Sequence, residues 1–141
     1  MKPRPARQLD APVPAAARSG NAAPKRQRKL HKDLRLLATF VRVHCEGQHR
    51  DEPKEPFALR GYDARVLGRR PPVLCAACRK LLAHAFVKRT ACPLDPKPMC
   101  KHCPQHCYAP AYRAQMRAVM RYSGRRLVLS GRLDYLLHLL F

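Results

Sequence analysis

The chain contains no tryptophan, and its aromatic content is limited to five tyrosines and four phenylalanines in 141 residues. Many of its apolar positions are alanine, so any core has to be built mainly from leucine and valine, and a core that thin gains from a covalent or metal staple. Long apolar runs are missing as well. No segment approaches the roughly 18 apolar residues of a membrane span, which argues against a membrane-embedded protein. The first residues, Met1-Lys2-Pro3-Arg4-Pro5-Ala6-Arg7, lead into Pro- and Arg-broken sequence without the apolar stretch of an export signal. A cytoplasmic protein is therefore expected. Internal repeats are absent, and no stretch alternates in the manner of a sheet strand.

Acids are the other scarcity. Nine Asp and Glu face 29 Lys and Arg, for a formal charge of +20. Such a surface attracts polyanions weakly, nucleic acid among them. Abundant Arg, Ala and Pro together is also what codon bias in a GC-rich genome produces, so charge alone does not assign a partner. Carboxylates able to serve as a general base are nearly missing from the cysteine-bearing part of the chain, where Asp95 stands alone. A non-enzymatic protein is the expectation, with a Cys-x2-Cys dithiol redox or electron-transfer protein as an alternative.

The length fits one domain. Residues 1–28 are rich in Pro, Ala and basic residues, show no periodicity, and read as a disordered tail ahead of a domain at 29–141. Leu30, Leu34, Leu37, Val41 and Cys45 then recur at helical spacing and predict a first helix ending near Gly47. Residues 46–72, broken by prolines and glycines, read as a loop. Leu74, Cys75, Cys78, Leu82 and Ala85 predict a second helix starting just after Pro71-Pro72. A proline-rich stretch at 90–110 suits knuckle-like turns. Pro110 opens a third helix with Tyr112, Met116, Val119 and Met120 inside and Gly124 as its terminator, and Ser130 caps a last helix carrying Leu133, Leu136, Leu137 and Leu140. The expected class is all-α, about four helices around a cysteine-rich knuckle.

Cysteine is what the chain has in abundance. Six lie between Cys75 and Cys107 with the spacing Cys75-x2-Cys78-x13-Cys92-x7-Cys100-x2-Cys103-x3-Cys107, and Cys45 precedes them. Residues three apart on a helix or tight turn put their Cβ atoms about 5–6 Å apart, close enough for both sulfurs to reach one ion at about 2.3 Å. Cys75, Cys78, Cys100 and Cys103 make the simplest tetrahedral zinc set. Cys100, Cys103 and Cys107, with Cys92 as a fourth ligand, equally resemble a run that wraps an iron-sulfur cluster. A third arrangement adds Cys45 and His49, spaced Cys-x3-His, and gives eight ligands for two four-coordinate sites. His102 and His106 each flank a cysteine as ligand or supporting partner. An odd cysteine count without an export signal disfavours a disulfide framework.

Several of these segments also carry a family resemblance. Leu74-Cys75-Ala76-Ala77-Cys78, Arg89-Thr90-Ala91-Cys92-Pro93, Lys97 through Pro110 with its Cys-Pro-Gln-His-Cys-Tyr-Ala-Pro core, and Val119-Met120-Arg121-Tyr122-Ser123-Gly124 together resemble the bacterial nitrous oxide-stimulated promoter proteins over about residues 30–141. The resemblance implies a small cytoplasmic protein produced under nitrosative stress. It also implies Cys75, Cys78, Cys92, Cys100, Cys103, His106 and Cys107 as signature residues, with Cys45 and His49 matching more loosely. Two readings from the residues compete with a metal protein. Arg113, Arg117, Arg121 and Arg125 form a row at spacing four that suits either phosphates or plain solvent. His84 is a possible base, or simply a partly buried histidine on the second helix.

Overall fold

A computed structural model describes residues 23–92 and 108–132. Within them the fold is mostly helical: α1 (Ala23–Gln48), β1 (Lys54–Pro56), β2 (Val73–Cys75), α2 (Ala76–Thr90) and α3 (Pro110–Leu129). The expected tail 1–28 falls outside the described residues as far as residue 22. The expected last helix, 133–141, does so entirely.

α1 begins at Ala23 rather than at Leu30. Residues 24–29 are exposed and touch no core, so they show no apolar period. Periodicity marks burial, whereas Lys, Arg and Gln extend a helix by intrinsic propensity. Further along, Leu34, Leu37, Ala38, Phe40, Val41 and Cys45 are buried, and both other helices pack on this central element. Phe57, Leu74, Leu81, Leu82, Ala85, Phe86, Met116 and Val119 complete the core. The Phe57 and Phe86 rings stack with centroids 6.3 Å apart. No helix among the described residues is long and apolar enough to cross a membrane.

Two short strands correct the all-α expectation. β1 and β2 pair antiparallel, with Lys54 opposite Cys75, Glu55 opposite Leu74 and Pro56 opposite Val73. Three residues are too few to display a period of two, and Pro56 is tolerated because the ribbon has only two strands and both are edges. β2 takes the residues where the second helix was expected to begin, and α2 starts only at Ala76. Between the strands, a 3-10 turn at Ala64–Leu67 is capped by Asp63, and Arg35 of α1 donates to the Val66 carbonyl at 2.7 Å.

α3 runs through Gly124 instead of stopping there. Gly124 and Ser123 are buried, and the Ser123 hydroxyl donates to the Phe40 carbonyl at 2.5 Å. The glycine therefore marks a packed face of the helix, not its end. Ser130 is the C-cap of α3, followed by Gly131 at φ 92°, the left-handed conformation that glycine supplies after a helix. α1 and α2 lie antiparallel: Arg89, in the last turn of α2, forms a buried ion pair with Asp33 in the first half of α1.

Candidate metal centre

The far end of the same helix pair gathers the chemistry. Cys45 lies in the penultimate turn of α1 and is fully buried. His49 follows one turn later, and its N–H still donates to the Cys45 carbonyl at 2.9 Å, so the thiol and the imidazole leave the same face. Beyond the helix, the Lys54 ammonium donates to the carbonyls of His49 at 2.7 Å, Glu52 at 3.1 Å and Arg50 at 3.2 Å. One cation thus gathers three carbonyls of the turn that follows the helix, where the dipole's negative end favours positive charge. Because Lys54 pairs with Cys75 across the ribbon, the same turn sets Cys75 beside the end of α1.

Cys75 closes β2 and is the N-cap of α2; its sulfur accepts the N–H of Cys78 at 3.5 Å, and its own N–H donates to the Cys45 sulfur at 3.3 Å. Nδ1 of His49 lies 3.4 Å from the Cys75 sulfur and 3.3 Å from the Cys78 sulfur. All four ligand atoms, three sulfurs and one nitrogen, fall within 4.8 Å of one another.

These distances suit a single four-coordinate ion. A tetrahedral zinc with bonds of about 2.3 Å to sulfur and 2.0–2.1 Å to nitrogen has ligand–ligand edges of roughly 3.5–3.8 Å. The imidazole-to-sulfur edges are close to that. An iron-sulfur cluster distributes its ligands over separate iron atoms and needs them further apart. Three thiols with one imidazole is also a standard structural zinc complement.

Electrostatics at the site point the same way. Burial, the hydrogen bond to Cys75 and the neighbouring Cys45 push the Cys78 thiol far above its ordinary range, and burial raises Cys45 too. Thiols this close do not ionise together without a cation. With one, the α2 N-terminus and two backbone N–H groups are already aimed at the sulfurs. His44 stands edge-on to the His49 ring, with centroids 5.3 Å apart, and edge-on to Tyr122 at 5.5 Å. Burial and the neighbouring His49 lower its pKa.

Cys92 is not in this group. It sits just past the other end of α2, about 20 Å from Cys78 at 1.5 Å per residue. Cys100, Cys103, Cys107, His102 and His106 lie outside the described residues. Among the described residues the pair Cys75–Cys78 has Cys45 and His49 as its neighbours; the Cys100–Cys103 pair matched to it by spacing lies outside them. The four described cysteines are free thiols. His84 stacks on Tyr112 at 4.1 Å and meets Tyr108 edge-on at 5.1 Å, a packing arrangement in which no carboxylate among the described residues bonds the ring.

Sequence reasoning missed Lys54 and the close approach of Tyr122, expected as packing around the knuckle, to Gly47. A side chain on Gly47 would collide with the Tyr122 hydroxyl, so this glycine lets α3 close against the end of α1 beside His44 and His49. The Tyr122-Ser123-Gly124 run was visible, but nothing in it announces that it docks on α1.

Comparison with known proteins agrees with this picture. The family model described as nitrous oxide-stimulated promoter matches residues 28–141. A 34-residue stretch is 50% identical to the uncharacterized protein YgbA of Escherichia coli (strain K12), covering 24% of this chain and 29% of that relative, so the match spans under a third of the relative's length. No solved structure matches. With nearly the whole described region inside the match, the chain belongs to the nitrous oxide-stimulated promoter family.

Proposed function

We propose that the protein is a cytoplasmic, non-enzymatic zinc protein of the nitrosative-stress response, in which Cys45, His49, Cys75 and Cys78 hold one tetrahedral ion. The observation that carries this reading is the convergence of three thiols and one imidazole, from two separate chain segments, within 4.8 Å. A zinc ion there fastens the end of α1 to the start of α2, and so staples a core poor in aromatic mass. Free thiols suit a reducing compartment. The remaining cysteines, Cys92, Cys100, Cys103 and Cys107, with His106 beside them, form a second ligand set on the strength of their spacing.

The family's description supports the link to nitrogen oxides, and sulfur chemistry supplies a mechanism. A nitrosating donor such as dinitrogen trioxide would transfer NO+ to a thiolate: the S–N bond forms as the donor's N–N bond breaks and nitrite leaves, and the sulfur loses the negative charge that would hold the cation. Release of the ion then loosens the α1–α2 junction, which makes the protein a sensor or sink.

Metal analysis with a visible spectrum on anaerobically purified protein tests the assignment. Colourless protein with one or two zincs supports it; brown protein holding only iron and sulfide overturns it. Exposure to a nitrosating donor should release zinc to a chromophoric chelator, and unchanged metal content would remove the sensing role.

A further inference from the structure

α3 carries five arginines and no acid: Arg113, Arg117, Arg121, Arg125 and Arg126. The first four recur every fourth residue, so they line one face at steps of about 6 Å over about 18 Å. Arg117, Arg121, Arg125 and Arg126 are exposed and Arg113 is half-buried. Four arginines outside α3 find carboxylates. Arg42 pairs with Glu46, Arg65 with Asp63, Arg79 with Glu55 and Arg89 with Asp33. Among the described residues no acid pairs with the α3 row, and every described acid lies between Asp33 and Asp63. Codon bias multiplies arginine, but it does not set four of them in register on one face or remove acids from that face.

Like charges four residues apart repel along a helix, so the row is unfavourable until an anion screens it. We propose that the outer face of α3 binds the phosphate backbone of double-stranded nucleic acid without reading its sequence. A strand presents one phosphate per roughly 3.4 Å of helix axis, so a rigid row of about 18 Å passes enough phosphates for each guanidinium to take one. Arg121, Arg125 and Arg126 also border a shallow, open recess with Ala118, Tyr122 and Leu129. Arginine's planar fork suits a phosphate.

Two neighbouring possibilities fit less well. A membrane-surface helix needs bulky apolar residues beside its cations, yet Met116, Val119 and Met120 pack inward, and Leu129 is the one large apolar side chain exposed on α3. Base stacking on single strands needs exposed aromatics, and both tyrosines of α3 are half-buried in its packed side.

The test uses the full-length, zinc-loaded chain with a short mixed-sequence DNA duplex, titrated across a range of salt. Wild-type protein should bind with an affinity that falls linearly on a log–log salt plot. The variant R113Q/R117Q/R121Q/R125Q should lose about tenfold or more in affinity and about three to four in slope, near 0.9 per phosphate contact. A control that removes equal charge elsewhere, R60Q/R69Q/R70Q/K80Q, should keep most of both. Equal losses in the two variants would overturn the surface, as would no duplex binding at physiological salt or tighter binding to vesicles of anionic lipid. If the quadruple variant fails to fold, R117Q alone decides, since this exposed residue should still remove about 0.9 of slope.

Discussion

The α1–α2 pair is clasped at both ends, by different chemistry. At one end Asp33 and Arg89 form a largely buried ion pair beside the Phe57–Phe86 stack. At the other, Cys45, His49, Cys75 and Cys78 converge with no large side chain between them. The ion-pair end is self-sufficient, because its partners are covalently present and the surrounding Leu34, Leu82 and Phe86 are ordinary core. The thiol end is equally buried but differently held. Its donors are mutually repulsive once ionised and weakly cohesive when protonated, so under the proposed function its strength comes from a bound ion.

The largest difference between the two ends appears on losing a clasp outright. Structural zinc contributes apparent free energies of about 10–16 kcal/mol near neutral pH. Chelation, or Cys75→Ser with Cys78→Ser, should therefore abolish cooperative thermal unfolding followed by circular dichroism. A metal-free chain that still melts cooperatively at the native temperature would show the ion-pair end to be enough.

Acid should discriminate between the ends next. Burial raises the Cys45 and Cys78 thiols above their ordinary range, so zinc binding must expel their protons, and each proton released lowers apparent affinity about tenfold per pH unit of acidification. Zinc affinity should rise with pH and fall with acid, and competition with a calibrated chelator at several pH values reads it. A flat profile would mean that thiolates are not the ligands.

At the opposite end, Asp33→Asn weakens a charge-assisted bond worth about 1.5–3 kcal/mol. Denaturant unfolding should record that loss while zinc content stays at wild-type level. Loss of zinc in this variant would show that the two clasps are not independent.

Smallest is the effect of Gly47→Ala. Its methyl group must displace the Tyr122 ring from its seat beside His44, an overpacking cost of about 1–2 kcal/mol. Because that seat adjoins His49, zinc should also dissociate faster, in contrast to Asp33→Asn. Identical behaviour of the two variants would erase the distinction between the ends.

The two ends were also unequally legible. The apolar stripe of α1 and the inward face of α3, with Met116 and Val119, were plain from spacing because each repeats over several turns. The Cys-x2-Cys pair was equally plain, and Cys45 with His49 was visible as a Cys-x3-His spacing. Spacing could not choose which pairs meet. That choice is made by a three-residue ribbon whose register, Lys54 opposite Cys75, leaves no period to read, and by Lys54 bonding three carbonyls beyond α1. Gly124 misled for a related reason. Glycine serves both as helix terminator and as a point of close helix approach, and only the partner surface tells which.

The central claim is one ion on three sulfurs and one nitrogen at the α1–α2 junction. Zinc-edge X-ray absorption on full-length protein carrying Cys92→Ser, Cys100→Ser, Cys103→Ser and Cys107→Ser tests it most directly, since no other thiols remain. The account predicts one zinc per chain with three sulfurs at about 2.3 Å and one nitrogen at about 2.0–2.1 Å, the nitrogen being lost in an additional His49→Ala variant. A folded variant that retains no zinc, or a shell without sulfur, would contradict it.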